Sequence, residues 1–135
     1  MAKELFELQI ISPDRIFYNG EASMIELTTT EGEMGIYKGH IPMTCILAPG
    51  VITIHEANGT KKAAIHQGFI QILPEAITIM AEVAEWGDEI DLERAKRAKE
   101  RAEERLKGDR TKIDVKRAEL ALHRAVARIE LVRKV

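Results

Sequence analysis

Six arginines carry the clearest chemical pattern in this 135-residue chain. At 100° per residue, Arg94, Arg101 and Arg105 fall within about 40° of one another on a helix, and Arg117, Arg124 and Arg128 do the same. Each ridge lies about 100° from the apolar stripe of its own helix. Guanidinium forks in such a row suit phosphate or an acidic protein segment. They equally suit a pair of solvated flanks with i,i+4 ion pairs. From Arg94 to the end there are 15 basic and 7 acidic residues, net +8. No aromatic or base-reading polar set accompanies that charge, so nucleic acid is not an expected partner.

A second group lies within Glu31–Pro42, where three glycines and a proline fall in a dozen residues. That composition predicts one long loop with several positive-φ positions; the sharper reading is a shaped contact loop exposing Glu33, Tyr37 and His40. It is not a phosphate loop of the Walker type, because no Gly-Lys-Ser/Thr closes it. His40 and Cys45 are too close in sequence to argue a Cys–His pair, and no triad is visible. The four histidines, His40, His55, His66 and His123, lack metal-ligand spacing, so no metal site is expected. A lone cysteine excludes an internal disulfide and agrees with a reducing compartment. No catalytic constellation appears.

The elements that must position these residues divide the chain in two. All four prolines, all six aromatics and eight of nine glycines lie in residues 1–87. Residues 1–84 hold 5 Lys/Arg against 10 Asp/Glu, and residues 85–135 hold 15 against 12, so the total of −2 is a cancellation. The first part alternates with period two: Phe6, Leu8 and Ile10 share a face, and Ser12-Pro13-Asp14, Asn19-Gly20, Pro49-Gly50, Asn58-Gly59 and Pro74-Glu75 punctuate the runs. Asn-Gly predicts two-residue hairpin turns. Many short strands at this spacing predict a small all-β sandwich.

The second part predicts an antiparallel two-helix hairpin. Asp91 is placed to cap a first helix, whose stripe is Leu92, Ala95, Ala98, Ala102 and Leu106 before Gly108. Thr111-Lys112-Ile113-Asp114 resembles a capping box for a second, with the seam Val115, Ala118, Leu122, Ala125, Ile129 and Val132. Much of the seam is alanine, so apolar burial is small and the hairpin is expected to be marginal unless docked. No run approaches the ~18–20 apolar residues of a membrane span, and the N-terminus lacks a secretory pattern.

Four motifs in order then resemble one family: Glu31-Gly32-Glu33-Met34-Gly35-Ile36 leading to Gly39-His40-Ile41-Pro42, Gly68-Phe69-Ile70, Ile90-Asp91-Leu92-Glu93-Arg94-Ala95, and Lys116-Arg117-Ala118-Glu119-Leu120-Ala121. Over essentially its whole length the chain resembles the epsilon subunit of bacterial rotary F-type ATP synthases. Lys38 stands where that family usually has proline, and Gln67 where a second glycine is common.

The resemblance implies a sandwich of about ten strands over residues 1–84, a hinge at 85–90 and a regulatory hairpin over 91–135. It implies a non-catalytic rotor-stalk subunit whose sandwich binds the gamma subunit and the c-ring, with Glu33, Tyr37 and His40 at the loop facing the ring. It also implies a mobile hairpin that restrains ATP hydrolysis and, when extended, meets acidic segments of the catalytic head. The implied location is the cytoplasmic face of the bacterial cell membrane, peripheral and without insertion.

Some relatives bind ATP as a regulatory ligand through a pattern that corresponds here to Ile90-Asp91-x-x-Arg94-Ala95, with Glu85, Arg124 and Arg128; Arg101 and Arg117 are additional candidate phosphate contacts. Magnesium is left open. The alternative is a free-standing prefoldin-like or nucleotide-binding interaction module, which would need long helices with apolar tips. The tip here reads Lys107-Gly108-Asp109-Arg110.

Overall fold

The computed structural model describes residues 4–109, 111 and 113–133. Eight strands come first: β1 Phe6–Ser12, β2 Arg15–Ala22, β3 Met24–Thr29, β4 Gly32–Tyr37, β5 Met43–Leu47, β6 Gly50–Glu56, β7 Gly59–Ile72 and β8 Ala76–Trp86. A 3-10 turn, Gly87–Glu89, leads to the helices α1 Leu92–Lys107 and α2 Val115–Arg133. The strand order is β2-β1-β8-β7-β5-β3-β4, and β6 pairs with both β3 and β7. Among the described residues only β1 and β8 pair in parallel.

A sandwich followed by a helical hairpin is the expected architecture. The strand count is eight rather than about ten because β7 and β8, at 14 and 11 residues, each run through both layers. The first half of β7 pairs with β6, from Gly59↔Glu56 to Ile65↔Gly50. Its second half pairs with β5, from Gly68↔Leu47 to Ile72↔Met43.

Between the halves sit Gln67, φ 53°, and Gly68, φ 140°. Side chains on a strand alternate faces with period two, so a local twist of this kind changes which parity points inward. Ala63 and Ile65 face the core before it, Ile70 and Ile72 after it. On β8 the same exchange takes Ile77, Ile79 and Ala81 to Ala84. Gly68 is held to glycine by contact as well as by φ, since an added Cβ would lie 2.0 Å from the Met80 carbonyl oxygen.

The core is contiguous and lies wholly within residues 6–84, with Phe6, Leu8, Ile10, Ile25, Ile36, Ile52, Ile54, Ile70, Ile72, Ile77 and Ile79 almost completely enclosed. Each such side chain stabilises the fold by about 1.5–3 kcal/mol. The sandwich therefore closes without any residue of the hairpin.

Several local expectations change. Asn19-Gly20 is not a turn: it lies inside β2, paired with Gln9 and Leu8, and Gly20 leaves room for the Tyr18 ring. At Asn58-Gly59 the chain does reverse, but the two-residue loop is Ala57-Asn58, because Gly59 already pairs with Glu56. The stretch Glu31–Pro42 is not one loop, because Gly32–Tyr37 forms β4 against β3. Only Gly32 and Gly39 there have positive φ.

Asp91 caps α1 as expected, its Oδ1 accepting from Arg94 N at 3.1 Å. For α2 the cap is Asp114, which accepts from Arg117 N at 3.1 Å, rather than Thr111, whose hydroxyl and N–H donate to Asp109. Lys112 of the expected capping box and Arg110 of the tip lie outside the described residues. α1 stops before Gly108, though with φ −82° rather than a left-handed cap.

Substitution at the kink separates contact from conformation. Gly68→Ala should cost the sandwich about 2–5 kcal/mol through strain and overlap with β8. Gly39→Ala, at φ +85° but with nothing within 4 Å, should cost only about 1–2 kcal/mol. Urea unfolding of the two variants checks the ordering.

Candidate functional site

The candidate site lies where α2 rests on the sandwich. α2 is buried on two sides, against α1 and against β6 and β7. Ala118, Ala125 and Ile129 of the heptad seam are buried, as are Ala95 and Ala102 of α1. Ala127 and Leu131 are also buried, and they fall within about 60° of Arg124 while the seam lies about 80° or more away on the other side. This second apolar stripe was missed by the heptad reading. Its signal was present in the sequence as a small residue and a leucine four apart beside the arginine ridge.

Beneath that stripe, Ala64 and His66 are fully enclosed although β7 points them away from the sandwich core. They share the face with Glu85, the cross-strand partner of Ala64. Glu85 Oε1 accepts from Arg128 Nε at 2.7 Å and stands 2.8 Å from His66 Nε2. His66 Nε2 faces a carboxylate and therefore carries the proton. Burial pushes the Glu85 carboxyl up, but the hydrogen bonds and charges of His66 and Arg128 outweigh it and leave the group below its ordinary value.

Arg124 is held at the kink. Its Nη2 donates to Gln67 Oε1 and lies 3.6 Å from Glu82 Oε2. Gln67 and Glu82 are the opposed residues between the pairs His66↔Val83 and Gly68↔Ala81, so one guanidinium spans both strands where they cross layers. Two polar atoms, His66 Nδ1 and Arg124 Nε, are buried there without a hydrogen-bond partner among the described residues.

The structure thus brings Glu85, Arg124 and Arg128 together on one side of α2. The remaining expected ligand residues are used differently. The Asp91 carboxylate is engaged as a helix cap, Ala95 is packed against α2, and Ile90 is half-buried after the 3-10 turn. Arg94, Arg101 and Arg117 are exposed, and their side chains make no hydrogen bond or ion pair among the described residues. An open cleft of about 560 Å³ at the 3-10 turn is lined by Trp86, Gly87, Asp88 and Val132, with no arginine in its wall. Beside it, Arg15 donates to Glu89 at 2.8 Å and Trp86 stacks on Phe17 with centroids 4.2 Å apart.

The expected contact residues are divided: Glu33, near the start of β4, lines a cleft with Glu130 of α2, whereas Tyr37 and His40 lie toward the end that carries the β7–β8 turn. Glu33 and Tyr37 are exposed on β4, while His40 is half-buried with Nδ1 2.8 Å from the Ile41 carbonyl oxygen. The Gly39 N–H donates to Pro74 O at 2.7 Å and ties this loop to the β7–β8 turn. Tyr37, Ile41, Met43 and Leu73 make that end apolar and exposed.

An apolar row, also missed by the sequence reading, crosses the outer face of five strands: Ile46↔Phe69↔Met80↔Ile11↔Ile16 in register. Ile46 is 62% exposed, Phe69 46%, Met80 40% and Ile16 63%. Such a contiguous row is characteristic of an interaction surface.

Comparison with known proteins follows the same division. The family profile described as ATP synthase, Delta/Epsilon chain, beta-sandwich domain matches residues 5–87, and that described as ATP synthase, Delta/Epsilon chain, long alpha-helix domain matches residues 88–133. An ATP synthase epsilon chain of Caldanaerobacter subterraneus is 42% identical over 96% of this chain and 94% of the relative. One from Syntrophomonas wolfei is 42% identical over 99% and 98%. Among solved structures, a chain of the Euglena gracilis mitochondrial ATP synthase, OSCP/F1/c-ring, aligns with a TM-score of 0.79 at 24% identity. It covers 96% of this chain and 80% of that one.

Acid should loosen the hairpin. With its folded pKa lowered, Glu85 contributes full stability above its ordinary value of 4.5 and loses it as the pH falls from there toward the lowered value. Trp86, the sole tryptophan, shares a cleft with Val132 and can report the step by fluorescence. Glu85→Gln should remove this group's share of the acid transition, leaving that of Glu89, which Arg15 and the Trp86 N–H also hold below its ordinary value, and should weaken docking at neutral pH by about 1–3 kcal/mol.

Proposed function

Because the chain belongs to the delta/epsilon family of ATP synthases, as a non-catalytic subunit of the epsilon type found in bacteria, we propose that it couples the central stalk to the c-ring and restrains ATP hydrolysis through its hairpin. Family membership takes the place of a free-standing interaction module. One observation carries the regulatory reading: the sandwich core is complete without the hairpin, which rests on it through alanines, one leucine and a few charged contacts. An element that leaves without opening a core has the low local stability that a movable arm requires.

Two exposed apolar surfaces support the stalk role. The row through Ile46, Phe69 and Met80 is the docking face for the gamma subunit, since large apolar side chains on a rigid sheet give complementarity without ordering cost. The end bearing Tyr37, Ile41 and Met43, with His40 beside them, meets the c-ring at the membrane surface, while Glu33 stands toward the other end of β4. The chain then acts as a peripheral part of the complex at the cytoplasmic side. No described helix is long and apolar enough to cross a membrane.

When the hairpin lifts, Arg124 and Arg128 leave Glu82 and Glu85, and the net +8 segment needs other anions. Acidic segments of the catalytic head supply them. In the folded pose the same arginines, with Glu85 and Asp91, form the site for regulatory ATP: guanidinium groups hold phosphates, and carboxylates accept from the adenine amino group or ribose hydroxyls. Arg94, Arg101 and Arg117, exposed and without side-chain partners among the described residues, are the additional candidate phosphate contacts.

In the assembled enzyme, removing residues 88–135 should raise ATP hydrolysis severalfold while assembly persists, and Phe69→Asp should reduce the amount of the chain recovered with the complex. Unchanged hydrolysis would refute the restraining role. For the ligand, calorimetric titration of the isolated chain with ATP should give heat that Arg124→Ala and Arg128→Ala diminish; equal heats in all three would remove the arginines from the site.

A further inference from the structure

Arg124 is the one α2 arginine that touches both strands of the kink. Its two anchors are Gln67 and Glu82, opposed across β7 and β8. Gln67 is the only described non-glycine residue with positive φ, at 53°. A side chain in that region is disfavoured relative to glycine, so something must hold it there. What glycine would lack is the amide oxygen that Arg124 binds. Four residues on, one turn along the same helix face, Arg128 meets Glu85.

We infer that Gln67, with Glu82 and Glu85, forms a built-in anchor for the α2 arginines, a latch that keeps the hairpin folded on the sandwich with no nucleotide bound. The inference rests on the mobile hairpin proposed above and adds what holds it in its resting pose. The chemistry is that of an internal substitute. An amide oxygen and two carboxylates occupy the guanidinium groups that an anionic ligand would otherwise occupy. The Glu82 contact, between a well-exposed carboxylate and a partly exposed guanidinium at 3.6 Å, adds little by itself. The Gln67 contact is shielded by α2 and is fixed by the kink, so its geometry is set before the helix arrives. A ligand competing for Arg124 must displace it, and the strained backbone at Gln67 then loses its compensating bond.

Hydrogen exchange of the nucleotide-free full chain tests the latch. Gln67→Gly, alone and with Glu82→Gln, should speed exchange of the α2 amides about tenfold, the factor expected on losing a hydrogen bond to a charged group. The amides of β1 and β3 should keep their protection, and the thermal midpoint should not fall, because glycine relieves the backbone. Gln67→Glu should act in the opposite sense and slow α2 exchange. Unchanged α2 exchange in the glycine variants would overturn the latch. Equal loss of protection in α2, β1 and β3 would overturn it too, since that is loosening of the whole sandwich. Neither ATP nor a partner subunit is present, so failure here is distinguishable from failure of ATP sensing or of hydrolysis control.

Discussion

The constraint on which the rest depends is the kink shared by β7 and β8. Two strands cross together from one layer of the sandwich to the other, and both exchange the parity of their inward-facing residues there. The close approach of Gly68 to Met80 fixes the crossing. On one side of it the strands turn Ala64, His66 and Glu85 outward to receive α2; on the other they turn Phe69 and Met80 outward as part of an exposed row. One pair of strands therefore presents two unlike surfaces, a polar seat and an apolar face, without either being cut into the core.

That arrangement separates the stability of the two modules. The contiguous apolar core lies within residues 6–84, and the helices add a separate, smaller burial made mostly of alanine with Ile129 and Leu131. The hairpin is held instead mainly by small side chains, with Leu131 the large one, and by hydrogen-bonded charges whose strength depends on exclusion of water. Contacts of this second kind can be exchanged for others of similar strength. An apolar core cannot be exchanged in that way, because opening it exposes all its area at once.

Local patterns were legible where the chemistry is local. Asp91 caps α1 because its carboxylate reaches an N–H three residues on. Phe6, Leu8 and Ile10 share a buried face because alternation is a property of any strand. Turn chemistry was less secure: Asn19-Gly20 is drawn into β2 by pairing with β1, and Gly32–Tyr37 into β4 by pairing with β3. In each case inter-strand hydrogen bonds decided what the residues' own preferences left open. Within the candidate site, Glu85, Arg124 and Arg128 were named from sequence, whereas His66, Gln67 and Glu82 were not. Their partners are distant along the chain, and nothing in a strand's composition marks which of its two faces a helix will cover.

By itself the sequence determined the division into two modules, the two helices, the basic ridge of α2 and the family. These follow from composition, from periods of two and 3.6 residues, and from motif order, all of which are read along the chain. Only the tertiary structure decided that α2 is buried on two sides, that Arg124 spans Gln67 and Glu82, that His66 and Arg128 share one carboxylate oxygen, and that Ile46, Phe69, Met80, Ile11 and Ile16 stand in one row. The physical reason is that each of these depends on register between strands or between helix and sheet, and register is set by packing the whole core rather than by any one segment.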